Sequence, residues 1–85
     1  MARFTVKVPV LDGVDGVTVL EWHVTAGQHV DDQIPLVTLE ADKVDVVVPS
    51  YGVGTVVEIL ADPDTELSIG DPLCVIETDV DQTSQ

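Results

Sequence analysis

The chain has 85 residues, with only three lysine and arginine residues against sixteen aspartate and glutamate residues, and a formal charge of −13. A chain of this length makes one small domain that buries about 60–65% of its unfolded surface, so a deep catalytic cleft is not expected. Nucleic acids and anionic membrane surfaces are bound through clustered cations, so this charge argues against both kinds of partner.

The N-terminus and the single cysteine limit the compartment and the possible cross-links. MARFTVKVPV has no basic segment followed by an apolar one, and no apolar run approaches the about 20 residues that span a bilayer. The sequence therefore predicts a soluble protein of the cytoplasm, or of the mitochondrial matrix if the chain is eukaryotic and processed. Cys74 is the only cysteine, which excludes an internal disulfide.

Short runs of β-branched and aliphatic residues follow one another along the chain, separated by Gly, Pro and Asp. Such runs predict strands, and none shows a sustained helical period. In chain order they are FTVKV (4–8), VTVLEWHV (17–24), LVTLE (36–40), VDVVV (44–48), TVVEIL (55–60) and LCVIE (73–77). The sequence therefore predicts an all-β domain.

The two halves of the chain repeat with an offset of 37 residues. TVLEW (18–22) lies over TVVEI (55–59), and PLVTLEAD (35–42) lies over PLCVIETD (72–79). Two small strand units can bury their apolar faces against each other, which predicts a flattened barrel of two antiparallel sheets related by a pseudo-two-fold axis. The pairs expected to be buried at equivalent positions are Leu36 and Leu73, Leu39 and Ile76, and Val19 and Val56.

The repeat also indicates where the copies differ. Gly27 lies over Asp64, which predicts a turn residue with positive φ in both copies. Lys43 lies over Val80, so the first copy ends in a hairpin that carries a lysine, whereas the second ends in a polar stretch. We therefore assign residues 1–79 to the domain and residues 80–85 to a polar tail or the start of a linker.

A set of short motifs at these positions identifies a family resemblance. They are Val8-Pro9, Glu21-Trp22, Gly27, Pro35-Leu36, the EADKV stretch at 40–44, Val48-Pro49-Ser50 and Gly70-Asp71-Pro72-Leu73. Together they resemble the lipoyl domain of 2-oxo acid dehydrogenase acyltransferase components, over roughly residues 4–78. The most specific element is the Asp-Lys pair at the hairpin.

The resemblance implies a site and a function. Lys43 would carry lipoic acid in amide linkage at the hairpin tip, and Asp42, Val44 and Ala41 would form the hairpin that the attaching enzyme recognises. The domain would be a non-catalytic carrier, because the chemistry belongs to the cofactor. The implied partners are a thiamine-diphosphate-dependent 2-oxo acid dehydrogenase, the acyltransferase catalytic domain, dihydrolipoyl dehydrogenase, and a lipoate ligase or lipoyltransferase.

Other functions and other residues compete with this interpretation. A biotin carrier of a carboxylase shares the fold but usually has Met-Lys-Met at the turn, and an unmodified barrel could act only as an interaction module. A lone lysine among acids is ordinarily a surface charge, and Lys7 has an outward-facing strand position. His23 and His29 lack any ligand spacing, so no metal site is predicted. Trp22, alternating with Leu20, and Cys74 are expected to pack in the barrel.

A difference between the halves near the N-terminus suggests a recognition surface. Val8-Pro9 matches Val48-Pro49 at a separation of 40, so the first copy is expected to carry about three extra residues, within Leu11 to Val17. This loop is expected beside the hairpin. An acidic rim of Asp12, Asp15, Glu40, Asp42 and Asp45 would then steer the domain to a basic surface on the thiamine-dependent enzyme. The isolated domain is expected to be a monomer.

Overall fold

Eight β-strands form two four-stranded antiparallel sheets in the computed structural model, which describes residues 2–42 and 44–78. The strands are β1 (Ala2–Lys7), β2 (Gly16–Trp22), β3 (His29–Val30), β4 (Pro35–Ala41), β5 (Val44–Pro49), β6 (Gly54–Ile59), β7 (Glu66–Ser68) and β8 (Pro72–Thr78). The predicted all-β fold is confirmed, and the described part of the chain contains no helix that could cross a membrane.

Each sheet is built from both halves of the chain. Sheet 1 has the order β1-β8-β6-β3, and sheet 2 has the order β5-β4-β2-β7. The two central strands of a sheet come from one half, and its two edge strands come from the other half. The halves are therefore interleaved, and neither can complete a sheet alone.

The pairs that the repeat relates occupy equivalent buried positions. Val19 pairs with Leu39 in sheet 2, and Val56 pairs with Ile76 in sheet 1, with all four side chains fully buried. Leu36 and Leu73 are also fully buried, on the two central strands β4 and β8. The predicted pseudo-two-fold arrangement is confirmed, and the core lies between the two sheets.

A β-bulge in each central hairpin also obeys the repeat. One lies between Val19 and Glu21, and its counterpart lies between Val56 and Glu58. Leu20 is exposed, as alternation with the buried Val17 and Val19 requires, and after the bulge Trp22 is half-buried whereas Glu21 is exposed. The Trp22 indole Nε1 donates a 2.7 Å hydrogen bond to the Ala61 carbonyl. Trp22 therefore packs as expected.

The turn residues Gly27 and Asp64 both have positive φ, of 94° and 69°, as the repeat predicts. Their amides reach across the molecule in a reciprocal way. The Gly27 amide donates to the Val56 carbonyl at 2.6 Å, and the Asp64 amide donates to the Val19 carbonyl at 2.7 Å. These turns tie each half to a central strand of the other, and both are occupied by residues that tolerate the left-handed conformation.

The pairing of β1 and β5 corrects the predicted match between Val8-Pro9 and Val48-Pro49. Val6 pairs with Cys74, and Val48 pairs with Val37, the position 37 residues before Cys74. The edge strands are therefore related by 48 − 6 = 42 residues, not 40. The connection from β1 to β2 is 42 − 37 = 5 residues longer than its counterpart, not three. It ends before Val17, which is buried in β2.

The buried leucines allow a test of the shared core. We expect Leu36→Ala and Leu73→Ala each to lower the free energy of unfolding by about 2–5 kcal/mol, because each leaves a cavity in the same core. Urea denaturation followed by tryptophan fluorescence measures both. Leu20→Ala is the control, with a much smaller loss because the side chain is exposed. A large loss in one core variant with none in its mate would contradict a core shared equally by the two halves.

Candidate functional site

The hairpin between β4 and β5 has a two-residue connection. Ala41 pairs with Val44, so only positions 42 and 43 connect the two strands. Two-residue hairpin connections favour a left-handed first residue, and Asp42 has φ of 55°. Aspartate tolerates this conformation better than most residues. The local sequence therefore suits a tight, rigid turn.

Lys43, the predicted attachment residue, lies outside the described residues. Its two neighbours are described, and both are exposed, with 60% of the Val44 surface accessible to solvent. Ala41, in contrast, is fully buried and packs in the core. Asp42 and Val44 are therefore the flanking side chains that an approaching enzyme can reach from solvent.

An open groove of about 630 Å³ lies next to this hairpin on sheet 2. The end of the β1–β2 connection, the hairpin and β7 form its walls. Four of its lining residues are acidic: Asp15, Glu40, Asp42 and Glu66. The structure thus confirms that the end of the β1–β2 connection lies beside the hairpin and brings its Asp15 together with Glu40 and Asp42.

Two predicted recognition residues lie outside the groove, and one groove residue was not predicted. Asp12 and Asp45 are exposed but do not line it. Asp45 is instead the cross-strand neighbour of Glu40. Glu66 lies in β7, whose three residues are too few to show alternation, so the strand was not predicted. The repeat sets Glu66 over His29 in β3, a two-residue strand that was not predicted either, so no sequence signal placed Glu66 in the groove.

The acids form a row across sheet 2, whereas the equivalent row of sheet 1 has one acid and one cation. The row runs from Asp45 through Glu40 and Thr18 to Glu66 across neighbouring strands. The equivalent row of sheet 1 contains Arg3, Glu77, Thr55 and His29. There the Arg3 Nε donates to the Glu77 carboxylate at 3.3 Å.

This difference in charge is not required by the fold. Like charges on directly opposite residues destabilise an antiparallel pair. Glu40 and Asp45 are directly opposite each other in sheet 2. The symmetry-related pair in sheet 1 shows that the same position accepts an ion pair. Among residues 2–42 and 44–78, the acidic row therefore distinguishes sheet 2 from sheet 1.

The other residues considered as functional candidates lie in environments that do not indicate a catalytic or metal-binding role. Both histidines are exposed, and the His23 Nε2 lies 2.7 Å from the Thr38 hydroxyl. Lys7 is exposed on β1, as predicted. Cys74 is fully buried, and burial raises the pKa of its thiol to about 11, so it is not a nucleophile at neutral pH. Within residues 2–42 and 44–78, no group of three or more potential ligands could hold a metal ion.

The left-handed conformation of Asp42 generates a prediction about the turn. We expect Asp42→Val to lower the free energy of unfolding by about 1–2 kcal/mol, because a β-branched side chain clashes at positive φ. Asp42→Asn should be close to neutral. Urea denaturation of Asp45→Val provides the control, since the same change in extended, exposed backbone should shift stability by less than about 0.5 kcal/mol. Equal losses at positions 42 and 45 would contradict a conformational role for Asp42.

Comparison with known proteins shows similarity over most of the chain. The model of the Biotin_lipoyl family, described as biotin-requiring enzyme, matches residues 5–76. The chain is 39% identical over 70 residues to the dihydrolipoyllysine-residue acetyltransferase component of the pyruvate dehydrogenase complex of Corynebacterium glutamicum. It is 34% identical over 62 residues to the lipoamide acyltransferase component of the branched-chain alpha-keto acid dehydrogenase complex of Bacillus subtilis.

These curated relatives are much longer than the chain. The matches cover 81% and 73% of this chain, but only 10% and 15% of the respective relatives. Among solved structures, the lipoyl domain of the 2-oxoglutarate dehydrogenase complex from Azotobacter vinelandii aligns with a TM-score of 0.73 and 25% identity. That alignment covers 87% of this chain and 95% of that domain.

A carboxylase shares the same fold. A single-chain, multi-domain long-chain acyl-CoA carboxylase aligns with a TM-score of 0.76 and 24% identity. The alignment covers 94% of this chain and 7% of the carboxylase. This likeness concerns the fold alone.

Proposed function

Because the chain belongs to the Biotin_lipoyl family, we propose that it is a lipoyl carrier in which Lys43 holds lipoic acid through an amide bond. The observation that carries the proposal is the Asp-Lys pair at a two-residue hairpin connection, in a chain similar to lipoyl-bearing acyltransferase components. The carrier is itself non-catalytic and serves a 2-oxo acid dehydrogenase complex.

The described part of the hairpin fits an attached lipoyl group. Asp42 and Val44 flank the attachment position and are both exposed, so an attaching enzyme can approach the lysine amine from solvent. When bound, lipoic acid supplies a dithiolane that carries acyl groups and reducing equivalents between active sites. The protein contributes a tight turn that holds the base of the arm on a rigid sheet.

Tethering explains how so small a domain contributes to rate. A carrier linked covalently to its cofactor presents it to each active site at an effective concentration in the millimolar range for short flexible linkers. The buried Cys74 thiol does not compete with the dithiolane, because it has no access to solvent. The β-sandwich therefore positions the arm and leaves the redox chemistry to the cofactor.

We propose the same classes of partner that the family resemblance implies. They are the thiamine-diphosphate-dependent dehydrogenase, the acyltransferase catalytic domain, the dihydrolipoyl dehydrogenase and the enzyme that attaches lipoate. The relatives' membership of pyruvate and branched-chain complexes supports this class of assembly. We further propose the compartment of these enzymes, the cytoplasm or the mitochondrial matrix, as the location.

A biotin carrier is the second candidate, since the matched family includes biotin-dependent proteins and a carboxylase has the same fold. The turn sequence favours lipoate, because Asp42-Lys43-Val44 differs from the Met-Lys-Met usual in biotin carriers. Intact mass after co-expression with a lipoate ligase, and separately with a biotin ligase, distinguishes the two. An unchanged mass in both cases would favour a barrel that acts only in protein interactions.

Modification is expected at Lys43 alone. Wild-type protein and Lys7→Arg should each gain one lipoyl group in the presence of lipoate ligase, whereas Lys43→Arg should gain none. Lys7→Arg is a matched control because it changes the only other lysine and keeps its charge. Intact mass and peptide mapping provide the measurement.

The Lys43→Arg variant should also retain its stability to within about 0.5 kcal/mol, as is usual for surface substitutions. A lipoyl group mapped to Lys7, or to the Lys43→Arg protein, would overturn the assignment. Biotin in place of lipoate on Lys43 would leave the site but replace the proposed function with the second candidate.

We also propose that the acidic groove and the β1–β2 connection guide the carrier to a basic surface on the thiamine-dependent enzyme. The groove adjoins the hairpin, so a surface that binds there also faces the arm. Electrostatic complementarity of this kind raises association rates and is weakened by salt. The neutral row in the symmetry-related position supports a role in recognition, since the fold does not require these charges.

The role of the β1–β2 connection can be tested by removing two of its charges. We expect Asp12→Asn with Asp15→Asn to slow acyl transfer to the lipoylated domain by about two- to fivefold at low ionic strength, with little effect at high ionic strength. Asp32→Asn with Asp62→Asn is the matched control, because it removes the same charge from exposed positions outside the groove. Equal rates for the two double variants would show that only net charge matters.

A further inference from the structure

Strand β5 forms an open edge of sheet 2. Among the described strands it contacts only β4. Because Ala41 and Val44 close a two-residue hairpin, the hydrogen-bonded pairs alternate from there, and the backbone groups of Asp45 and Val47 point away from β4. Neither residue has a backbone hydrogen bond outside the β4 ladder within the described chain. The edge therefore offers free donors and acceptors to an added strand.

The side chains along this edge are unusually apolar for an open strand. Val44 is 60% exposed and Val47 is 54% exposed, and Asp45 is the one charged residue of β5. Natural proteins usually protect open edges with charged residues, particularly lysine, or cover them. Here Val44 and Val47 are exposed on the strand that carries Asp45 of the acidic row.

The symmetry-related edge strand, β1, is protected in the usual way. Positions 3, 5 and 7 of β1 correspond to positions 45, 47 and 49 of β5, through the 42-residue relation. Arg3 and Lys7, two of the three cations in the chain, are both exposed on β1. The same fold position thus carries two cations in one sheet, whereas in the other it carries one acid, two exposed valines and a proline only at the end of the strand.

The net charge of the molecule indicates which kind of segment could bind at the β5 edge. A second copy of this chain would bring another charge of −13 against the same acidic surface, which opposes self-association. A basic segment would instead be attracted by Asp45 and Glu40, which lie on the outer face of the sheet at this edge. Alternating aliphatic residues on its other face would cover Val44 and extend the apolar surface.

We propose that the β5 edge binds an extended segment of a partner protein, with alternating basic and aliphatic residues, by adding it to sheet 2 as a fifth strand. Main-chain hydrogen bonds to Asp45 and Val47 would provide affinity, and the alternate side chains would provide specificity. Binding does not require that Lys43 be modified, so this inference is independent of the proposed carrier function.

The probe is the peptide acetyl-RVTVKVT-amide, titrated into unmodified, isotope-labelled protein and followed by NMR. We expect amide shifts confined to residues 44–48 and the adjacent β4, and new protection of the Asp45 and Val47 amides from hydrogen exchange. Acetyl-EVTVEVT-amide, which keeps the strand propensity and reverses the charge, should bind at least about tenfold more weakly at low salt. Adding salt should reduce this difference.

A proline at position 47 tests the main-chain contact. Val47→Pro removes an amide that points to solvent and keeps the β4 ladder, as proline on an edge strand can. We expect about tenfold weaker binding of the basic peptide. Thr5→Pro is the matched control, because Thr5 is the exposed, symmetry-related position on β1, and it should leave binding unchanged.

Val47→Lys and Thr5→Lys form a second pair that does not alter the backbone, in case a proline variant fails to fold. Val47→Lys should weaken binding by charge repulsion and steric blocking, and Thr5→Lys should not. Unchanged binding to Val47→Lys, shifts that map to β1 or the acidic groove, or no binding at millimolar peptide would overturn the proposal. Concentration-dependent shifts of β5 without peptide would also overturn it, in favour of a second copy as the occupant.

Discussion

The burial of one apolar sheet face against another is the constraint on which the rest of this structure depends. Each half of the chain supplies only two central strands and two edge strands for the opposite sheet, so neither half can cover its own valines and leucines. The reciprocal bonds from Gly27 to Val56 and from Asp64 to Val19 hold the halves in one register. Once this register is set, the hairpin after β4 must lie at one end of the sandwich, away from the core.

The pseudo-two-fold symmetry allows each position in one sheet to be compared with its equivalent in the other. The hairpin at Ala41 and Val44 corresponds to the pairing of Thr78 with Ala2, where the described chain begins and ends. The acidic row corresponds to a row with an ion pair, and the exposed valines of β5 correspond to the cationic strand β1. Because both members of each pair satisfy the same fold, the fold alone does not require the differences between them. All of these differences place distinctive chemistry beside the proposed attachment site.

The rigid scaffold and the exposed turn suit a carrier for complementary reasons. Leu36 and Leu73 are fully buried on the central strands, which anchors in the core the sheet from which the hairpin extends. The left-handed Asp42 allows a two-residue connection, which keeps the attachment position close to the sheet. In the proposed carrier, the acidic side chains around the turn would oppose self-association and favour a basic partner.

The sequence predicts the fold class because strand periodicity is a local property. It also predicts the pseudo-two-fold and the buried pairs, because the 37-residue repeat aligns β2 with β6 and β4 with β8 without a gap. The Asp-Lys hairpin followed as well, since the repeat marks where one copy continues into a strand. Only the tertiary structure decided the exchange of edge strands, the strands β3 and β7, and the five-residue difference in the first connection. Those features depend on pairing between distant segments of the chain. A strand of two or three residues contains too little local information to specify its partner strand, and so does a two-residue match such as Val8-Pro9 with Val48-Pro49. The groove residue Glu66 belongs to the same class, because it reaches the hairpin only through the pairing of β7 with β2.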